Sequence, residues 1–133
     1  TLPAGKAEIR RRGQGVALLA FGSLVAAAVA AGDELDATVV NMRFIKPLDV
    51  DLIRELAGNH SLLVSIEENS VIGGAGSEIE RVLAENGLTV PFIRLGLPDR
   101  FIDHGEQNQL LAELGLDKNG IVNAVRTHNS NQQ

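Results

Sequence analysis

From Gly13 to Gly32 the chain carries no charge for twenty residues, and this segment constrains the fold more than any other. A run of that length is long enough to cross a bilayer. With Arg10, Arg11 and Arg12 before it and Ala28-Val29-Ala30 inside it, it also imitates a signal peptide. Its composition argues for burial inside a protein instead. Four glycines, Gln14 and Ser23 interrupt it and seven positions are Ala, which favours membrane insertion far less than Leu or Ile. Val16 to Phe21 is a continuous apolar run closed by Gly22, as expected of a strand covered on both faces. Ser23 is placed to cap an Ala-rich helix that runs to about Leu35. No membrane location is expected.

A strand buried on both faces needs helices on each side of it, and the rest of the chain supplies them. Ala37 to Asn41 reads as a second buried strand. Asp49 is suited to cap a helix over Val50 to Ala57, which puts Leu52, Ile53 and Leu56 on one face and stops at Gly58-Asn59. Ser61 to Ile66 is a third strand. Ser77 and Glu80 have the spacing of a capping box for a helix to about Glu85, ended by Asn86-Gly87. Thr89 to Leu95 is a fourth strand, and Pro91 near its start places it at a sheet edge or delays its pairing. Asp103 and Glu106 form a second capping box, for a helix carrying Leu110, Leu111 and Leu114. A last helix from Lys118 to His128 holds Ile121, Val122 and Val125 on one side. Ala7 to Arg12 can add a short leading strand. The alternation implies an α/β fold with a mainly parallel sheet covered on both faces.

At 133 residues the chain has the size of one domain, which buries roughly two thirds of its unfolded surface without disulfide or metal staples. Residues 1–6 read as the remnant of a linker, 7–128 as the domain and 129–133 as a disordered polar tail. Seventeen acidic against twelve basic residues give a net charge of -5, so there is no positive field to attract nucleic acid. The absence of cysteine excludes a thiolate nucleophile and any Cys-ligated metal. The four aromatic residues are all Phe, which leaves no indole or phenol for base stacking.

No catalytic constellation is visible. Gly73-Gly74-Ala75-Gly76 ahead of a helix is the best candidate for an anion contact, because free amides and the helix dipole favour negative charge there. It lacks the Lys-Ser/Thr of a P-loop and the spacing of a dinucleotide fingerprint. Gly73, Gly74 and Gly76 equally suit a structural turn. Glu67 and Glu68 close a strand, where α/β sheets place their sites. Adjacent strand residues point to opposite faces, so without a bend the two cannot act together as an acid and base pair. His104 lies in the charged and aromatic loop Asp99 to Gly105. His60, His104 and His128 show no metal-ligand spacing, and no Gly-x-Ser-x-Gly elbow occurs. Arg10 to Arg12 read as a solvated face or as ion-pair partners for acids elsewhere.

Val40-Asn41-Met42-Arg43-Phe44-Ile45-Lys46-Pro47-Leu48-Asp49, Val64-Ser65-Ile66-Glu67-Glu68-Asn69 and Gly73-Gly74-Ala75-Gly76-Ser77 resemble the C-terminal domain of transketolase-like, thiamine-diphosphate-dependent enzymes. Gly96-Leu97-Pro98-Asp99-Arg100-Phe101-Ile102-Asp103-His104-Gly105 and Glu113-Leu114-Gly115-Leu116-Asp117 narrow the resemblance to the 1-deoxy-D-xylulose-5-phosphate synthase family. The resemblance covers about Gly5 to Val125.

It implies a three-layer αβα lobe whose mixed sheet of about five strands has one antiparallel member. It also implies a cytoplasmic, dimeric parent enzyme that joins pyruvate to glyceraldehyde 3-phosphate with loss of carbon dioxide, for isoprenoid and thiamine biosynthesis. In that family thiamine diphosphate and magnesium are held by a Gly-Asp-Gly and a later Asn in upstream domains. Here Gly32-Asp33 is followed by Glu34, so no catalytic, cofactor or metal residue is assigned to this chain. Glu67, Glu68, Gly73, Gly74, Gly76 and His104 remain candidates for interdomain or anion contact. The alternatives are the corresponding lobe of a ketoacid dehydrogenase E1 beta subunit, or a stand-alone module that binds a phosphorylated ligand.

Overall fold

The uncharged segment divides into a strand, a turn and a helix at the centre of the molecule. A computed structural model of the protein describes residues 6–43, 48–67, 74–96, 112 and 116–131. The strands are β1 (Glu8–Arg11), β2 (Gly15–Ala20), β3 (Thr38–Asn41), β4 (His60–Glu67) and β5 (Phe92–Gly96). The helices are α1 (Val25–Leu35), α2 (Val50–Asn59), α3 (Ala75–Glu85) and α4 (Lys118–Asn131). The strands form one sheet in the order β1-β3-β2-β4-β5. Among the described residues only the β1–β3 pairing is antiparallel. This is the mixed, mainly parallel α/β sheet expected, and the leading strand supplies its one antiparallel member.

The side-chain alternation of β2 explains why it sits at the centre. Leu18 and Ala20 pack with Ala28 and Ala31 of α1 and with Ile121 and Val125 of α4. Ala17 and Leu19 face the other way, onto Ile53 and Leu56 of α2 and Ile79 and Leu83 of α3. Successive strand residues serve opposite layers, so a run apolar at every position is what a central strand requires. Leu18 and Leu19 are fully buried, and each such side chain contributes about 2 kcal/mol. No helix among the described residues is long and apolar enough to cross a membrane.

Several boundaries differ from the sequence reading, each for a physical reason. A 3-10 turn, Gly22–Leu24, leads into α1, so the cap position falls on Leu24, which makes no side-chain cap bond, instead of on Ser23. β5 begins at Phe92, and the Pro91 carbonyl accepts the first bond from Leu63 N–H at 3.0 Å. Proline has no amide to give the ladder, and the strand lies at the sheet edge. α4 continues to Asn131, beyond the end at His128 expected from the sequence. The helix expected after Asp103 lies outside the described residues apart from Ala112.

At the C-terminus of α1 a residue from β1 does the capping. Arg11 Nη1 donates to the carbonyls of Gly32 (3.0 Å) and Ala37 (2.8 Å), while its other nitrogens reach Asp33 and Asp36, each at 3.2 Å. A cation here satisfies free carbonyls and complements the negative end of the helix dipole. On the outer side of the α1–α4 layer, Glu34 meets Lys118 at 2.8 Å and Arg126 at 3.2 Å. The hydrogen bond from Lys118 holds the Glu34 carboxyl below its ordinary value, with the charges of Lys118 and Arg126 adding to the effect. The small contribution of this exposed cluster is complete above the ordinary carboxylate range and is lost as pH falls through the lowered value.

Gly58 lies inside α2, and a Cβ built there meets nothing within 4 Å. Replacing it with Ala removes backbone freedom from the unfolded chain at no steric cost. Gly58→Ala is therefore expected to raise stability by about 0.5–1 kcal/mol, read as a higher urea midpoint at unchanged slope.

Candidate functional site

In open α/β sheets a ligand site forms where neighbouring strands send their connections to opposite faces, just beyond their carboxyl ends. Here that place lies between β2, which continues into α1 on one face, and β4, which continues into α3 on the other. Phe21 N–H donates to the Ile66 carbonyl at 3.0 Å and draws the two strand ends together. Glu67 is the last residue of β4 and is only 4% exposed.

The Glu67 carboxylate turns toward the start of α3. One oxygen accepts from Ala75 N–H at 2.7 Å, and Gly76 N–H lies 3.2 and 3.3 Å from the two oxygens. A helix start leaves its first amides without partners inside the helix. α3 has Gly74 at its cap position, with no side chain to satisfy them. Glu67 supplies the missing cap from across the loop, and its charge sits at the positive end of the helix dipole. The position that a ligand phosphate takes in many α/β proteins is filled here by a side chain of the chain itself.

This geometry corrects the expected capping box. α3 starts at Ala75, two residues before Ser77, so Ser77 and Glu80 lie within the helix. Their side chains hold Arg94 of β5 instead: Arg94 donates to Ser77 Oγ at 3.1 Å and pairs with Glu80 at 2.8 Å. Gly76 makes room for this arginine, since a Cβ at that position would lie 2.5 Å from Arg94 Nε. Beneath them Ser65 is fully buried, and its hydroxyl has no hydrogen-bond partner among the described residues.

Of the six candidates from sequence, the structure brings together Glu67, Gly74 and Gly76. Glu68, Gly73 and His104 lie outside the described residues. His60 is at the opposite end of β4, where its ring bridges Thr38 Oγ1 (2.8 Å) and the Leu56 carbonyl (2.9 Å). Sequence reading missed this link, the Arg11 cap and the Glu67 cap, because each joins different elements that only the folded sheet brings together. The one available signal for Glu67 was an acidic residue closing a strand just before a glycine-rich helix start. Among the described residues no group of three or more His, Cys, Asp or Glu could hold a metal ion.

Residues 5–121 match the family described as Transketolase, C-terminal domain. The chain belongs to that family. This transketolase C-terminal domain is 83% identical to the 1-deoxy-D-xylulose-5-phosphate synthase of Dechloromonas aromatica (strain RCB), over 99% of the chain and 21% of that protein. It is 61% identical to the synthase of the same description from Thioalkalivibrio sulfidiphilus (strain HL-EbGR7), over 95% of the chain and 20% of that protein. The domain thus spans about a fifth of the length of these relatives. A solved structure described as a split gene transketolase, inactive beta4 tetramer, superposes with a TM-score of 0.83 at 34% identity, over 95% of this chain and 43% of that one.

Proposed function

We propose that the chain is the C-terminal lobe of a 1-deoxy-D-xylulose-5-phosphate synthase, a thiamine-diphosphate-dependent transferase. The reaction joins pyruvate and glyceraldehyde 3-phosphate and releases carbon dioxide. The lobe is structural: it supports the adjoining catalytic domains of the same polypeptide and the homodimer, in the cytoplasm. Its contacts run through the carboxyl end of the sheet, where Glu67, Gly74 and Gly76 meet.

The observation that carries this reading is the Glu67 carboxylate on the amides of Ala75 and Gly76. A lobe that bound a phosphate at this helix start would keep those amides for its ligand. The reading assigns no thiamine diphosphate or magnesium to this lobe: the Gly-Asp-Gly that the family resemblance implies for the cofactor does not occur in the sequence, and among the described residues no group of three or more His, Cys, Asp or Glu could hold a metal ion. We derive no catalytic step within this lobe. Supporting the same reading, the two synthases named above match the chain over nearly its whole length.

Two preparations test the reading: the 133-residue chain, and a polypeptide in which the upstream domains of the same protein precede it. Only the longer protein is expected to form deoxyxylulose phosphate and to show magnesium-dependent thiamine diphosphate binding by calorimetry. Tight cofactor binding or turnover by the 133-residue chain alone would refute the assignment.

A further inference from the structure

We infer that Asp49 and Arg11 are positioning residues that strap β1 to both helical layers and so set the direction in which the polypeptide preceding β1 leaves the lobe. β1 is only four residues long and, among the described residues, pairs with β3 alone at the sheet edge. A strand this short with one neighbour is prone to fray. Two partly buried polar ties compensate, one at each end.

At the first end, Asp49 is 8% exposed and divides its carboxylate between two donors. Oδ1 accepts from Leu52 N–H at 3.2 Å, the expected cap of α2, and Oδ2 accepts from Ala7 N–H at 3.0 Å, forty-two residues away in sequence. Ala7, Ile9 and Leu48 pack onto the α2–α3 cluster around this bond. At the second end, Arg11 crosses to the other face and grips the C-terminus of α1 through Gly32 and Ala37. Strand alternation would send Ile9 and Arg11 to the same face. A register shift between them re-aims Arg11, the usual consequence of a β-bulge. β1 is thereby fixed to α2 at its start and to α1 at its end, so it cannot pivot about β3.

A segment that precedes a C-terminal domain reaches it through this strand, and the kinetic consequence below rests on the synthase reading given above. Asp49→Ser separates the two jobs of the carboxylate. Serine caps a helix about as well as Asp, but its single short hydroxyl cannot also reach Ala7. In the 133-residue chain, amide exchange over residues 7–11 is expected to speed up about tenfold or more while α2 from Leu52 onward keeps wild-type rates. In the longer protein, KM for the substrates is expected to rise about fivefold, because a shift of the lobe against the domains it supports loosens substrate binding without altering the reacting groups. Thiamine diphosphate affinity should not change. A purely structural defect would lower only the active fraction, and with it the apparent kcat. Arg11→Met, which cuts the tie at the other end, should raise KM in the same way.

Wild-type exchange over residues 7–11 in Asp49→Ser, or selective exchange with an unaltered KM, overturns the inference. An inactive wild-type longer protein overturns the synthase reading, and the strap is then judged on the exchange result alone.

Discussion

Glu67→Ala is expected to lower stability by about 3 kcal/mol, which for a domain of this size is a fall of about 10 °C in Tm. The loss comes from one place. With the carboxylate gone, the amides of Ala75 and Gly76 stay buried at the start of α3 with no acceptor, and a donor stranded in this way costs about 1–3 kcal/mol. Glu67→Gln keeps one acceptor oxygen but turns an NH2 toward the second amide, so its loss should be intermediate. The vacated amides also become a real anion site. Formate at on the order of 0.1 M is expected to restore part of the lost Tm in Glu67→Ala and to do nothing for the wild type. A Glu67→Ala protein that melts with the wild type would show that the carboxylate does not cap α3.

The second large effect is expected from a glycine at the other end of the sheet. A Cβ at Gly13 would lie 2.2 Å from the Asp36 carbonyl oxygen and 2.5 Å from the Ala37 carbonyl carbon. Both are backbone atoms, so no side-chain rotation relieves the overlap. The colliding turn is itself constrained: Asp36 is in the left-handed region at φ 54°, and its carbonyl accepts from Gln14 N–H at 2.8 Å. Gly13 N–H also donates to Thr38 Oγ1 at 3.0 Å. Moving the turn would pull the Ala37 carbonyl away from Arg11 and disturb the strap on β1. Gly13→Ala should cost about 2–3 kcal/mol, read by thermal melting beside Gly58→Ala, whose shift has the opposite sign. Equal melting of Gly13→Ala and wild type would mean that the turn between α1 and β3 yields easily.

What could be read from the residues in order was whatever depends on near neighbours. The apolar run Val16 to Phe21 marked a buried strand because a strand covered on both faces reads as a near-continuous apolar run. Asp49 was recognisable as the cap of α2 because a cap and its amide are three residues apart. The capping box at Ser77 and Glu80 failed for a reason that the local pattern does not contain. The spacing was right, but a carboxylate from the end of β4 had already satisfied the helix start two residues earlier.

The sequence by itself determined the α/β class, the alternation of strands and helices, the central place of the uncharged segment and the family. These follow from hydrophobic period, turn residues and short motifs, all of which act over a few positions. Tertiary structure alone decided that Glu67 caps α3, that Arg11 grips the end of α1 and that Asp49 holds Ala7. Each of these bonds spans between eight and forty-two residues of chain. The partner of a buried charge is fixed by where the sheet order and a one-residue bulge place two distant segments, and no local pattern encodes that distance.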